Sequence, residues 1–140
     1  MNTRVSAIII NHNQEILLIH RIKNGNQYYV LPGGGIESNE TETSAVIREI
    51  KEETNLDIQP DKKILELQND SFDRIEMFFT IKSFIGNPAL GKPELDRQSN
   101  YNTYKLEWIK INELQKYNLF PKEILQIIIN LKKNDFLPQP

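Results

Sequence analysis

A chain of 140 residues with 39% hydrophobic and 26% charged side chains has the size and composition of one folded domain, which excludes a disordered or collagen-like polymer. It contains no cysteine, so disulfides, thiol nucleophiles and thiolate metal sites are all excluded. The net charge of −2 is too small for a polyelectrolyte partner, no apolar run is long enough to cross a bilayer, and the first residues lack a secretory leader pattern, so the cytoplasm is the expected location.

In chain order, residues 4–11 and 15–22 are rich in β-branched and apolar side chains, and the turn-like His12-Asn13-Gln14 between them predicts a hairpin. Asn24-Gly25-Asn26 is a turn signal, followed by a short strand over residues 27–31 that Pro32 and three glycines stop. Residues 41–55 fit a helix, with Thr41 as N-cap, Glu42 at the positive end of the dipole and Asn55 as a left-handed terminator. Its expected apolar stripe is Thr43, Ile47, Ile50 and Thr54, with Val46 beside it. Residues 62–69 and 73–85 predict a second hairpin, and residues 86–103 an irregular segment of the length that functional loops have. Residues 104–111 alternate as a half-buried strand, residues 112–114 begin a short helical piece, and residues 121–133 form an amphipathic helix opened by proline. Strands flanking a central helix, with a second helix at the end, predict an α/β fold with a mixed sheet covered on both faces. One domain spans residues 1–136, and residues 137–140 form a frayed tail.

The small net charge conceals a local concentration. Between residues 33 and 56 lie Glu37, Glu40, Glu42, Glu49, Glu52 and Glu53 against Arg48 and Lys51, a net of −4 that leaves +2 for the remainder. Glu49, Glu52 and Glu53, at i, i+3 and i+4, share one helical face, where like charges repel by roughly 0.2–0.5 kcal/mol per pair. A divalent cation removes that penalty, and carboxylates without histidine or cysteine suit Mg²⁺ or Mn²⁺. The alternative is a solvated acidic face with an Arg48–Glu52 pair. The preceding Gly33-Gly34-Gly35 shifts the balance, because a backbone without side chains can approach a ligand or offer carbonyls to a metal.

Written as a pattern, residues 34–56 read G-x5-E-x7-R-E-U-x-E-E-x-N-U, with U aliphatic, and this segment resembles the Nudix box of the Nudix hydrolases. Every charged position is met, and Asn55 stands where the family has glycine. The likeness continues more loosely along the chain and implies an α/β/α sandwich that hydrolyses a pyrophosphate linkage with Mg²⁺, usually in a nucleoside diphosphate joined to another group. The resemblance further implies that Glu49, Glu52 and Glu53 ligate the metal together with a carbonyl of Gly33 or Gly34. One of the box glutamates, or an acid from elsewhere, takes the proton from water, Arg48 holds the glutamates in place, and Glu40 fastens loop to helix.

Several residues outside the box are candidates beside plainer readings. Glu94, in the long irregular segment, is a candidate ligand or base against an ordinary loop acid, and Arg21 a candidate phosphate contact against a surface arginine. In nucleotide-cleaning relatives, the segment corresponding to residues 117–121 reads the base. By that resemblance Asn118 pairs with a base edge and Tyr117 or Phe120 stacks on it, against simple helix-entry packing. His12 and His20 read as a turn residue and a strand-end residue rather than ligands, and Trp108 as core. Residues 86–92 spell the start of a P-loop, but Pro93 stands where a metal-binding hydroxyl is needed.

Four substrate classes stay open: (deoxy)nucleoside triphosphates, ADP-ribose-like or sugar nucleotides, dinucleoside polyphosphates and capped RNA ends. No long basic stripe supports an extended nucleic acid and no added domain a large dinucleotide, which favours a small nucleotide. The rival of another class is a non-catalytic nucleotide-sensing module on the same fold. A homodimer is an open alternative, because the apolar residues of the last helix suit an interface as well as the core, with the core preferred.

Overall fold

The computed structural model describes residues 2–133, so the tail predicted at residues 137–140 lies outside the described residues. The strands β1 (Asn2–Ile8), β2 (Glu15–Lys23), β3 (Asn26–Val30) and β4 (Gly33–Gly35) precede helix α1 (Glu42–Thr54). After it come β5 (Asp57–Asn69), β6 (Arg74–Ile85), the short helix α2 (Lys92–Arg97), β7 (Asn102–Lys110), β8 (Leu119–Phe120) and helix α3 (Glu123–Lys133). Single 3-10 turns at Asp70–Phe72 and Ile111–Lys116 complete the chain.

The strands form two mixed four-stranded sheets, ordered β4-β1-β6-β5 and β7-β2-β3-β8. The predicted first hairpin is therefore not one. The chain turns at residues 11–14 and makes a single bridge, Ile10 to Ile16, after which β1 and β2 enter different sheets. Burial explains the separation. Residues 5–10 and 16–19 are buried without a break, so each segment needs cover on both faces and a partner on both edges. The second predicted hairpin is present as β5 and β6.

Alternation along the strands divides the core in two. Val5, Ala7, Ile9, Met77, Phe79 and Ile81 meet Ala45, Val46 and Ile50 of α1. Their neighbours Ile8, Ile10 and Phe78 join Ile16, Leu18 and Leu114, with Ile124 and Ile128 of α3. Helices thus cover both sides, as the sandwich expectation requires. In α1 the stripe is rotated from the predicted one: Ala45, Val46, Ile50, Glu53 and Thr54 are buried, whereas Ile47 is 38% exposed and Thr43 is exposed. A periodicity count passes over a small alanine and does not place a glutamate inside, yet the interior holds both.

Both predicted caps of α1 form. The Ser44 N–H donates to Thr41 Oγ1 at 3.0 Å and the Thr41 N–H to Ser44 Oγ at 3.1 Å, a reciprocal capping box. Asn55 ends the helix at φ 67°, with its N–H donating to the Lys51 carbonyl at 3.0 Å. The loop after β6 then docks on this end. The Ala89 N–H donates to Thr54 O at 2.8 Å and the Gly91 N–H to Glu53 O at 2.9 Å, satisfying carbonyls that the helix terminus leaves without partners. A Cβ on Gly91 would lie 1.8 Å from the Glu52 carbonyl oxygen, so only glycine admits this contact.

Asn55→Gly removes the residual cost of a side chain at positive φ and leaves stability unchanged or slightly higher. Asn55→Ala lowers it by about 1 kcal/mol. Denaturant midpoints of the two variants against wild type check this.

Candidate active site

A cavity of about 370 Å³ opens where α1, α2 and both sheets meet. Its lining includes Gly33, Gly34 and Gly35 of β4, Glu49, Glu52 and Glu53 of α1, Pro93, Glu94 and Arg97 of α2, and Arg4, Arg21 and Tyr104 from the strands. The acidic helix face, the glycine strand, Glu94 and Arg21 are thereby brought together.

Backbone contacts seat the carboxylates. Gly34 faces Glu49 so closely that a Cβ there would lie 2.0 Å from Glu49 Oε2. The Gly33 N–H donates to Glu53 Oε1 at 2.7 Å, in a buried setting. Arg48 stands behind the acids and is not among the lining residues. Its Nε and Nη2 grip Glu40 at 2.7 and 2.8 Å, Nη1 reaches Glu49 at 2.9 Å and Glu52 at 3.2 Å, and Nη2 donates to Gly35 O at 3.0 Å. This planar fork ties loop, glycine strand and helix into one unit. Arg48 is thus a positioning residue, as is Glu40, which also accepts the Glu37 N–H at 2.8 Å. The Arg48 hydrogen bonds, helped by that N–H, hold the Glu40 carboxyl down at about 2.

The carboxylates facing the cavity behave oppositely. Burial raises the Glu49 carboxyl above its ordinary value in spite of Arg48. Glu53 is pushed up to about 8, chiefly by burial and further by the negative charge of Glu94, with the Gly33 N–H opposing. Glu94 is itself 8% exposed, so the irregular segment carries a helix that turns this acid inward. Among the described residues no cationic side chain forms a close ion pair with Glu53, and the more distant Arg4 charge offsets its burial only in part.

No three acidic or histidine side chains converge tightly enough, among the described residues, to cage a metal by themselves. The oxygen-only donor set and the buried Glu53, which has no close ion pair, nevertheless fit a hard divalent cation, because Mg²⁺ takes few protein ligands and completes its shell with water and substrate phosphate oxygens.

Arg21 lines the cavity with its guanidinium 3.8 Å from the Tyr104 ring centre, and it donates to Asn102 Oδ1 and to Thr103 O. The other candidates lie apart. Tyr117, Asn118 and Phe120 are not among the lining residues. Asn118 Nδ2 donates to Gln27 O at 3.2 Å, Tyr117 packs edge-on against Tyr29 at 5.0 Å, and Phe120 does so against Tyr28 at 6.1 Å. His20 is held between Glu107 at 2.6 Å and Gln27 at 2.9 Å and stacks on Tyr29, while His12 is exposed in its turn. Trp108 is half-buried against Phe84. Arg4, Arg97 and Tyr104 also line the cavity, and no linear motif marks them. Their signals are positional: Tyr104 is the cross-strand partner of Arg21, Arg4 that of Gly35, and Arg97 follows Glu94 by one helical turn.

The NUDIX domain model matches residues 2–127. The RNA pyrophosphohydrolase of Orientia tsutsugamushi (strain Boryong) is 28% identical, covering 90% of this chain and 86% of its own. A solved MutT structure from work on Aliivibrio salmonicida and Vibrio cholerae superposes with a TM-score of 0.73 at 23% identity, over 92% of this chain and 97% of that one. An ADP-ribose pyrophosphatase from Streptococcus suis does so with 0.65 at 19%, over 94% and 92%. The last two likenesses show the fold. An α/β sandwich carrying a glycine strand against a glutamate-bearing helix defines the class, and the chain belongs to the Nudix hydrolase family.

Gly34→Ala forces the Glu49 carboxylate aside and lowers hydrolytic activity on the order of tenfold or more with the fold retained, which turnover and circular dichroism measure together. The metal-free protein also loses stability with rising pH. Native Glu53 keeps its proton up to about 8 whereas the unfolded chain releases it near 4.5, so Tm falls across that window. Glu53→Gln flattens the slope, as thermal scans at stepped pH will report.

Proposed function

We propose that the chain is a divalent-metal-dependent pyrophosphohydrolase that cleaves a phosphoanhydride bond in a small nucleotide, of the (deoxy)nucleoside triphosphate type. The observation that carries this reading is the buried Glu53, fixed by the Gly33 N–H and lining a cavity with Glu49, Glu52 and Glu94, with no close ion pair to its carboxyl among the described residues. Glu49, Glu52 and Glu53, with a carbonyl of Gly33 or Gly34, would hold Mg²⁺ or Mn²⁺. When bound, the cation supplies positive charge against the phosphoryl oxygens as the anhydride breaks.

The remaining work falls to the chain. Arg48, locked to Glu40, keeps Glu49 and Glu52 at fixed positions, so the acidic face is preorganised rather than splayed by self-repulsion. Glu94 lines the same cavity as Glu53 and its negative charge acts on that carboxyl, a placement that suits Glu94 to take a proton from the attacking water. Arg21, oriented by Tyr104 and Asn102, presents its guanidinium to a phosphate. The names of the relatives span RNA, MutT-type proteins and ADP-ribose, so they support the bond type more than the substrate.

A panel of nucleoside triphosphates, sugar nucleotides, dinucleoside polyphosphates and capped RNA, assayed for phosphate or pyrophosphate release with Mg²⁺ or Mn²⁺, tests the proposal. Turnover is expected with wild type and lost on the order of a hundredfold or more with Glu52→Gln and with Glu53→Gln. Binding of one of these compounds without any turnover would establish the non-catalytic module instead.

A further inference from the structure

Arg4 is the one cavity-lining arginine with no hydrogen bond or close ion pair among the described residues, although its charge acts from a distance on Glu49 and Glu53. Arg21 is held by Asn102, Thr103 and Tyr104, and Arg97 stands 3.7 Å from Glu94, but no hydrogen bond or close ion pair holds Arg4. Its neighbour in register on β6, Glu76, is engaged elsewhere, bonded to Arg74 at 3.2 Å. The backbone beneath it is fixed, because β1 is an interior strand paired with β4 on one side and β6 on the other. A half-buried guanidinium with all five donors uncommitted, on a rigid base beside an acidic cavity, is built to receive an anion from outside the chain.

Its location specifies which part of the anion. Along β4 exposure rises from buried Gly33 and Gly34 to exposed Gly35, and Arg4 is the cross-strand partner of Gly35. Arg4 therefore stands beside the outer end of the glycine strand, within electrostatic reach of the Glu49 and Glu53 carboxyls that Gly34 and Gly33 seat. Arg21 rises from the other sheet, so an extended phosphate chain lying across the carboxylates meets one guanidinium from each sheet. A terminal, unesterified phosphoryl group carries about −1.5 to −2 charge at neutral pH and three acceptor oxygens, a better match for a free guanidinium than the single charge of an internal phosphodiester.

We propose that Arg4 is a specificity-determining residue that binds the terminal phosphoryl group of the substrate, selecting nucleoside triphosphates over nucleoside diphosphates esterified at their far end. This assignment rests on the reading of the cavity as a phosphoanhydride site. It is testable without turnover. The two probes are bis-methylene ATP, with both anhydride oxygens replaced, and α,β-methylene ADP-ribose, each titrated calorimetrically in Mg²⁺ against wild type, Arg4→Gln, Arg4→Lys and the surface control Lys51→Gln.

The triphosphate analogue is expected to bind Arg4→Gln roughly 10- to 100-fold more weakly, Arg4→Lys to recover part of that loss, and Lys51→Gln to match wild type. The ADP-ribose analogue changes less than threefold, and all four proteins melt within a few degrees of one another. With a turned-over triphosphate the loss appears in KM rather than in kcat. Equal weakening of both analogues, no weakening of either, failure of wild type to bind either, or a loss confined to kcat overturns the assignment. If no nucleotide is hydrolysed yet the triphosphate analogue still depends on Arg4, the hydrolase reading falls while the phosphate contact stands.

Discussion

The hydrogen bond from the Gly33 N–H to Glu53, 2.7 Å long and out of water, is the contact on which the rest of the molecule's arrangement turns. It places an ionisable carboxyl inside α1's buried face, where periodicity would put a hydrophobe. Each neighbouring feature accommodates that choice. Gly34 has no side chain because Glu49 lies against it, Arg48 absorbs charge from behind, and the loop before α2 supplies amides to the helix end that carries Glu53. A metal-free site of this kind is electrostatically strained, and the strain is local: Glu40, tied to Arg48, stays ionised while Glu53 resists ionisation.

What the sequence made legible follows from the range of the interactions involved. Thr41 and Asn55 were readable as caps because a cap depends on residues within one turn, and both formed. The Arg48–Glu52 pair was readable from i,i+4 spacing, whereas the ties of Arg48 to Glu40 and Glu49 were expected only through the resemblance of residues 34–56 to a family motif. The separation of β1 from β2 was not, because it depends on which strands far along the chain come to flank each one. Arg4 and Tyr104 reached the cavity through cross-strand register alone, and a linear pattern carries no trace of register between distant strands. Tyr117, Asn118 and Phe120 show the converse. Their chemistry suits a nucleobase, yet their contacts run to Tyr29, Gln27 and Tyr28.

The near-zero net charge acquires a spatial meaning in the folded chain. Four carboxylates and three arginines line one cavity, drawn from four separate elements. The signs are not mixed at random. The acids come from the two helices, and Arg4 and Arg21 from opposite sheets, so a cation-bridged polyanion meets complementary charge on more than one side. Composition alone would have predicted indifference to charged ligands.

The docking of the loop onto α1 uses only main-chain groups from the loop: the Ala89 and Gly91 amides, and the Asn87 carbonyl that accepts from Asn55 Nδ2 at 3.4 Å. Side chains at residues 87 and 89 project into solvent and take no part in it. The position of Glu94 is thus specified by backbone geometry and by one obligatory glycine, while the identity of the intervening residues is left free. Such a segment can accumulate substitutions without displacing the acid it delivers, so the rim of the cavity can diverge between related chains while the placement of Glu94 stays constant.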